Sequence, residues 1–143
     1  AINARAPFLM LQAAHPHLKA AKGSAVNIGS VNAHKTGDHL LVYGMSKAAL
    51  VNLTRSLSGP FAKEGIRING LNLGWTLTPN ERKLLMETSG WAEDWPETMG
   101  EKMPFGRLMR PEEVAAMVCY LLSDEACMIS GQMWDFDQHS HGR

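Results

Sequence analysis

The sequence predicts an α/β fold with a parallel sheet, and three observations predict it. Runs of β-branched and small apolar residues alternate with amphipathic helical stretches along the whole chain. Glycine falls at the junctions, as at Gly23, Gly65 and Gly74. The 143 residues are 45% apolar and 20% charged, enough to bury one core and too apolar for a disordered chain.

The first helix is expected over 2–21, where Ile2, Ala6, Leu9, Met10, Ala13 and Ala14 keep one face apolar. Pro16 predicts a kink or an early stop within it. Gly23 and Ser24 lead into a short strand over 25–29, and Ser30 falls where that strand should end. The stretch 31–40 is polar and irregular. A second long helix is expected over 41–63, with Ala48, Leu50, Val51, Leu53, Leu57 and Phe61 as its apolar positions. Gly65 stands just past its end.

A strand over 66–73 follows, and Gly74 marks its exit. The segment 78–103 changes character. A short helix over 81–86 begins near Pro79 and runs into Gly90, Trp91, Trp95, Pro96 and Gly100 without a clear period. It reads as a flexible cover more than a core element. Pro111, Glu112 and Glu113 open a helix over 111–123: proline fits the first turn, and carboxylates fit the positive end of the dipole. A last strand is expected over 131–137, and 139–143 is a polar tail.

Several function classes lose support at once. The formal net charge is zero, which gives no electrostatic footprint for nucleic acid or an anionic membrane. No apolar run approaches the ~18 residues of a membrane span, and the first residues lack a signal-peptide pattern. A cytoplasmic enzyme-like domain is the expectation. Cys119 and Cys127 lie in an apolar helical stretch and its exit, and are expected to pack in the core. His139 and His141 read as part of the tail rather than as metal ligands, and His15 and His17 as surface residues. No metal site is expected.

The chemistry concentrates in Tyr43-Gly44-Met45-Ser46-Lys47 and in Ser30, thirteen residues upstream of the tyrosine. Residues four apart share one helix face, so the ammonium stands beside the phenol. A neighbouring positive charge favours phenolate, which makes a tyrosine usable as a general acid or base. Ser30, at the carboxyl end of a parallel strand, stands where such sheets present ligand contacts.

The chain resembles the short-chain dehydrogenase/reductase family over essentially its whole length. Val26-Asn27-Ile28-Gly29-Ser30 looks like that family's strand ending in the active serine, and Tyr43 to Lys47 with Ala48, Ala49 and Leu50 looks like its active-site helix. Ile66-Arg67-Ile68-Asn69 with Gly74, Arg107 to Val114, and Ile129-Ser130-Gly131-Gln132 look like its following strand, helix entry and last strand. The resemblance implies a Rossmann-like three-layer fold and hydride transfer between NAD or NADP and an alcohol or carbonyl substrate. It implies Tyr43 as proton donor or acceptor, Lys47 on the tyrosine and the nicotinamide ribose, and Ser30 on the substrate oxygen. Asn3, with Phe8 in its context, would be the fourth catalytic member, holding a water that relays protons. Gly74, Trp75, Thr76 and Thr78 would form the cofactor-side turn, although the family usually places proline where Leu73 stands. The helices 2–21 and 41–63 would pair subunits into a homodimer or homotetramer. Independently of the resemblance, His34 and His39 lie in the loop before Tyr43, near the expected substrate mouth, and Trp91 and Trp95, four apart, would either roof an apolar substrate or cover exposed core.

The family's glycine-rich phosphate-binding turn does not occur, since no two glycines here are separated by a single residue. The expected unit is therefore the catalytic, carboxyl-terminal half of such a domain, binding a dinucleotide weakly by itself. A nucleotide-sugar epimerase shares the tyrosine–lysine pair, but Pro111-Glu112-Glu113-Val114 and the compact end favour the reductase form. The reading from another class is a truncated, non-catalytic fragment or an oligomerisation module.

Overall fold

The computed structural model describes residues 2–138. Helix α1 (Arg5–Ala21) leads to strand β1 (Ser24–Ser30), then through two 3-10 turns (Val31–Ala33 and Asp38–Leu40) to helix α2 (Leu41–Ala62). Strand β2 (Arg67–Leu73) is followed by α3 (Pro79–Ser89), α4 (Trp95–Gly100) and α5 (Pro111–Leu122). A third 3-10 turn (Asp124–Ala126) precedes strand β3 (Met133–Phe136). The sheet is parallel throughout, in the order β1-β2-β3.

Side-chain alternation sorts the helices onto two faces. Ala25 and Ile68 are register partners, and both pack with Leu11 and Leu18 of α1 and Leu53, Leu57 and Phe61 of α2. The preceding pair, Ser24 and Arg67, points the other way. The Ser24 hydroxyl donates to the Leu121 carbonyl at 3.2 Å, and the Arg67 guanidinium donates to the carbonyls of Leu121 and Ser123 at 2.8 and 2.9 Å. Arg67 thus supplies donors to the open carbonyls at the end of α5, where a cation also meets the negative end of the dipole. Helices on both faces of the parallel sheet that the alternation predicts make the three-layer Rossmann-like arrangement that the resemblance implies.

Several boundaries differ from expectation. Helix α1 begins at Arg5, so Asn3 lies in the turn before it, and the helix passes through Pro16 without stopping. Pro16 and Gln12 are both exposed, so water can serve the carbonyl that the proline leaves without its intrahelical donor. The left-handed residue ending α1 is Lys22 (φ 49°), one before Gly23, whose N–H returns to the Leu18 carbonyl at 2.9 Å.

His15 is half-buried rather than fully on the surface, and its Nε2 lies 2.7 Å from Glu64, tying α1 to the segment after α2. Cys119 and Cys127 are exposed, against the expectation of core packing. Helix α5 turns Val114, Val118 and Leu121 inward, and Cys119 falls outside that stripe. The cover segment is more regular than its sequence suggests. Helix α3 spans eleven residues, capped by the Thr78 hydroxyl accepting the Glu81 N–H at 3.0 Å, and α4 is an additional turn. His139 and His141 lie outside the described residues.

Candidate active site

Strand β1 delivers Ser30 to the carboxyl edge of the sheet, where it is 6% exposed. Its hydroxyl accepts the Asn32 N–H at 3.2 Å and so caps the 3-10 turn that follows. The chain then loops into α2, whose first turn carries Tyr43, 38% exposed. One turn on, Lys47 is half-buried, with its Nζ 5.7 Å from the centre of the Tyr43 ring.

The same Nζ donates to the Ile28 carbonyl at 2.8 Å, two residues before Ser30. This bond docks α2 on the end of β1. Burial pushes the Lys47 ammonium below its ordinary value. Among the described residues the Ser30 and Tyr43 hydroxyls do not hydrogen-bond each other, and the Tyr43 hydroxyl is held by no protein group. Both remain available to a third oxygen.

Two further residues fix this geometry. Gly44 is buried where α2 meets the 31–36 loop. A Cβ there would lie 2.7 Å from Thr36 Cγ2 and 2.8 Å from the Asn32 carbonyl oxygen. Asn3 donates from Nδ2 to the Ser46 hydroxyl at 3.1 Å, and Ser46 donates to the Tyr43 carbonyl at 2.7 Å. Asn3 therefore joins the first turn of α2 through Ser46, not through Lys47 directly.

The turn after β2 is more heavily committed than its sequence suggests. The Gly74 N–H bonds the Phe136 carbonyl at 3.0 Å, and a Cβ on Gly74 would stand 2.5 Å from Asp137 Cβ. The close approach that this glycine permits is thus to β3's exit. Thr76 bridges Met109, whose N–H and carbonyl bond Trp75 and Leu77 at 3.1 and 2.8 Å, so Thr76's own N–H and C=O face the opposite side. The Thr78 oxygen caps α3. The Trp75 indole donates to Glu81 at 3.1 Å and joins Trp91 and Trp95 in a trio.

Trp75 stacks on Trp95 at 5.6 Å, and Trp91 meets both edge-on at 5.4 and 6.0 Å. Trp95 is buried, and among the described residues its indole N–H has no hydrogen-bond partner. A cavity of about 380 Å3 opens beside the trio, lined by Trp91, Ala92, Asp94, Trp95, Thr98 and Met99. The two tryptophans are therefore both cover and wall.

His34 sits at the far end of the Ser30 turn, and its Nε2 pairs with Asp135 at 2.7 Å. Asn72 donates to the same carboxylate oxygen at 2.9 Å. Neither Asp135 nor Asn72 stood out in the sequence reading. The available signal was a carboxylate in the middle of the short apolar strand Met133-Trp134-Asp135-Phe136, where β-propensity disfavours one.

Fold and site together define a Rossmann-like α/β unit carrying a serine, a tyrosine and a lysine at one sheet edge. A family model described as enoyl-(acyl carrier protein) reductase matches residues 1–138. A 4-formylbenzenesulfonate dehydrogenase of Comamonas testosteroni is 35% identical over 140 residues, covering 95% of this chain and 54% of the relative. Aldohexose dehydrogenase of Thermoplasma acidophilum superposes with a TM-score of 0.88 at 29% identity, over 99% of this chain and 57% of its own. L-sorbose reductase of Gluconobacter frateurii, solved with NADPH and L-sorbose, superposes at 0.85 with 25% identity, over 97% of this chain and 55% of its own. The chain belongs to the short-chain dehydrogenase/reductase family. It spans about half the length of the relatives it matches.

The residues present fit the nicotinamide-ribose end of such a cofactor. Among the described residues, Lys47 keeps two N–H bonds beyond the one given to Ile28, and the Tyr43 hydroxyl and the outward Thr76 amide are also open. For the pyrophosphate, the sequence offers no glycine-x-glycine turn.

Proposed function

We propose that this chain carries the proton-transfer site of a nicotinamide-dependent oxidoreductase acting on an alcohol or carbonyl. The observation that carries the reading is the Tyr43–Lys47 pair held to β1 by the Lys47–Ile28 bond, beside the carboxyl end where Ser30 stands. Ser30 donates a hydrogen bond to the substrate oxygen. Tyr43 gives that oxygen a proton during reduction, or takes one during oxidation. The Lys47 charge stabilises the phenolate as it forms, and Lys47 and Tyr43 together hold the ribose. A bound NAD or NADP supplies or accepts the hydride. Asn3 steadies the start of α2 through its bond to Ser46, and Trp91 and Trp95 wall the substrate side.

The cofactor turn contributes through backbone more than side chains. Gly74 is tied to β3, Thr76 offers its amide, and the Trp75 and Thr78 side chains are engaged in the indole trio and the α3 cap. A titration of NADH and NADPH fluorescence with the chain measures what this end alone binds. Tyr43→Phe then tests the chemistry in any preparation that turns over. A fall in kcat of about 100-fold or more is expected, and a loss under about tenfold rejects Tyr43 as the acid–base group.

A second reading, an association module without turnover, is favoured by the exposed apolar residues of α1 and α2, among them Phe8, Met10, Leu41 and Val42. In the enzyme these same helices pair subunits.

A further inference from the structure

Gly29, Asn72 and Asp135 are register partners and form one row across the sheet, on the face covered by α1 and α2. Gly29 contributes no side chain. A Cβ at that position would stand 2.3 Å from Asn72 Oδ1, so the asparagine amide occupies the space that the glycine leaves. Asn72 is fully buried and donates from Nδ2 to Asp135 Oδ1 at 2.9 Å. The same oxygen lies 2.7 Å from His34 Nε2. A carboxylate only accepts, so Nε2 is the donor in this contact.

His34 is the closing residue of the turn that Ser30 opens. Its N–H bonds the Val31 carbonyl at 3.1 Å, and the Asn32 N–H bonds Ser30 Oγ at 3.2 Å. The start of the turn is covalently part of β1, and Gly44 of α2 packs against the Asn32 carbonyl. The far end is fastened to β3 by the imidazole.

We propose that Asp135 is a positioning residue: acting through His34, and itself steadied by Asn72, it holds the turn that fixes the Ser30 hydroxyl. The proposal deepens the reading of Ser30 as the group that meets the substrate oxygen. It makes the last strand a contributor to the site without touching substrate. The geometry also accounts for an aspartate in an otherwise apolar strand, which a purely structural position would fill better with a β-branched residue.

Amide hydrogen exchange followed by NMR tests this on the chain as it is, with no cofactor or turnover. In His34→Ala, exchange at Asn32 and His34 should quicken by about tenfold, while Ile68 and Leu71 in β2 keep their rates. His34→Gln, whose amide N–H still reaches the carboxylate, should return both to within about threefold of the parent. Asp135→Ala should match His34→Ala, and the double variant should add nothing further. An unchanged Asn32 rate in His34→Ala overturns the proposal. So does an equal rise at Leu71, which would make the contact one of general stability, and so does failure of glutamine to rescue. His34 is on the exposed side of the contact, so its variants read the tether even if Asp135→Ala does not fold. Because no reaction is measured, these results stand apart from the Tyr43→Phe result. A held turn with no effect of Tyr43→Phe would discredit the reaction and leave the tether.

Discussion

At the scale of single residues, the candidate site depends on the side chains missing at Gly29 and Gly44 as much as on what is present. Gly44 lies between Tyr43 and Met45 in α2, where helix propensity alone favours alanine. Yet a methyl there would meet Thr36 Cγ2 at 2.7 Å and the Asn32 carbonyl at 2.8 Å, and a carbonyl cannot rotate aside as a side-chain tip can. Gly44→Ala should therefore push α2 off the Ser30 loop and destabilise the fold by about 1–3 kcal/mol, read as a lower urea midpoint at unchanged slope. A variant as stable as the parent would show that the loop yields freely. The spacing of Ser30, Tyr43 and Lys47 was legible because their chemistry is written in residue types. Asp135, Asn72 and the clearance at Gly44 were not, since each matters through a contact between residues more than 35 apart or across a loop.

At the scale of elements, the entry to α5 shows how a helix start is fastened by charge. The Glu113 carboxylate reaches back to accept the Arg110 N–H at 2.8 Å and receives the Arg107 guanidinium on both oxygens, one at 2.9 Å. The Arg107 pair and the Arg110 N–H together hold its carboxyl down to about 2. A carboxylate held below its ordinary value stabilises the fold fully above that value, and the contribution fades as pH falls toward about 2. Thermal midpoints of the parent and of Glu113→Gln should thus differ most at neutral pH and converge as pH drops from the ordinary carboxylate range toward 2. A gap that persists at pH 2 would mean the glutamate acts by packing. Pro111-Glu112-Glu113 signalled this start in the sequence, because capping chemistry is local. Within 78–103 the short helix near Pro79 was legible, but its full length and the helical turn after it were not. Helix α4 follows the interlocking of Trp75, Trp91 and Trp95, a tertiary contact that leaves no period in the chain.

At the scale of the whole molecule, the alternation of strand and helix was enough to give the parallel sheet, since helical crossovers allow few other arrangements. What alternation does not reveal is how well each layer is covered. Helices α1 and α2 turn Leu11 and Phe61 inward, yet leave Met10 at 71% and Val42 at 80% exposed, along with Phe8, Leu41 and Met45. A cavity of about 280 Å3 between them is walled by Phe8, Gln12, His15, Leu57 and Phe61. Apolar side chains grouped on two neighbouring helices favour a self-complementary contact, in which each copy covers the other's patch. Sedimentation equilibrium should therefore give a mass at least twice that of the chain, and a double substitution, Met10→Glu with Val42→Glu, should return it to the single-chain value. Because both positions point to solvent, the double variant should keep the parent's circular dichroism. A parent that sediments as a single chain at about 50 μM, a concentration at which a standard-sized interface is normally occupied, would remove α1 and α2 as the pairing surface.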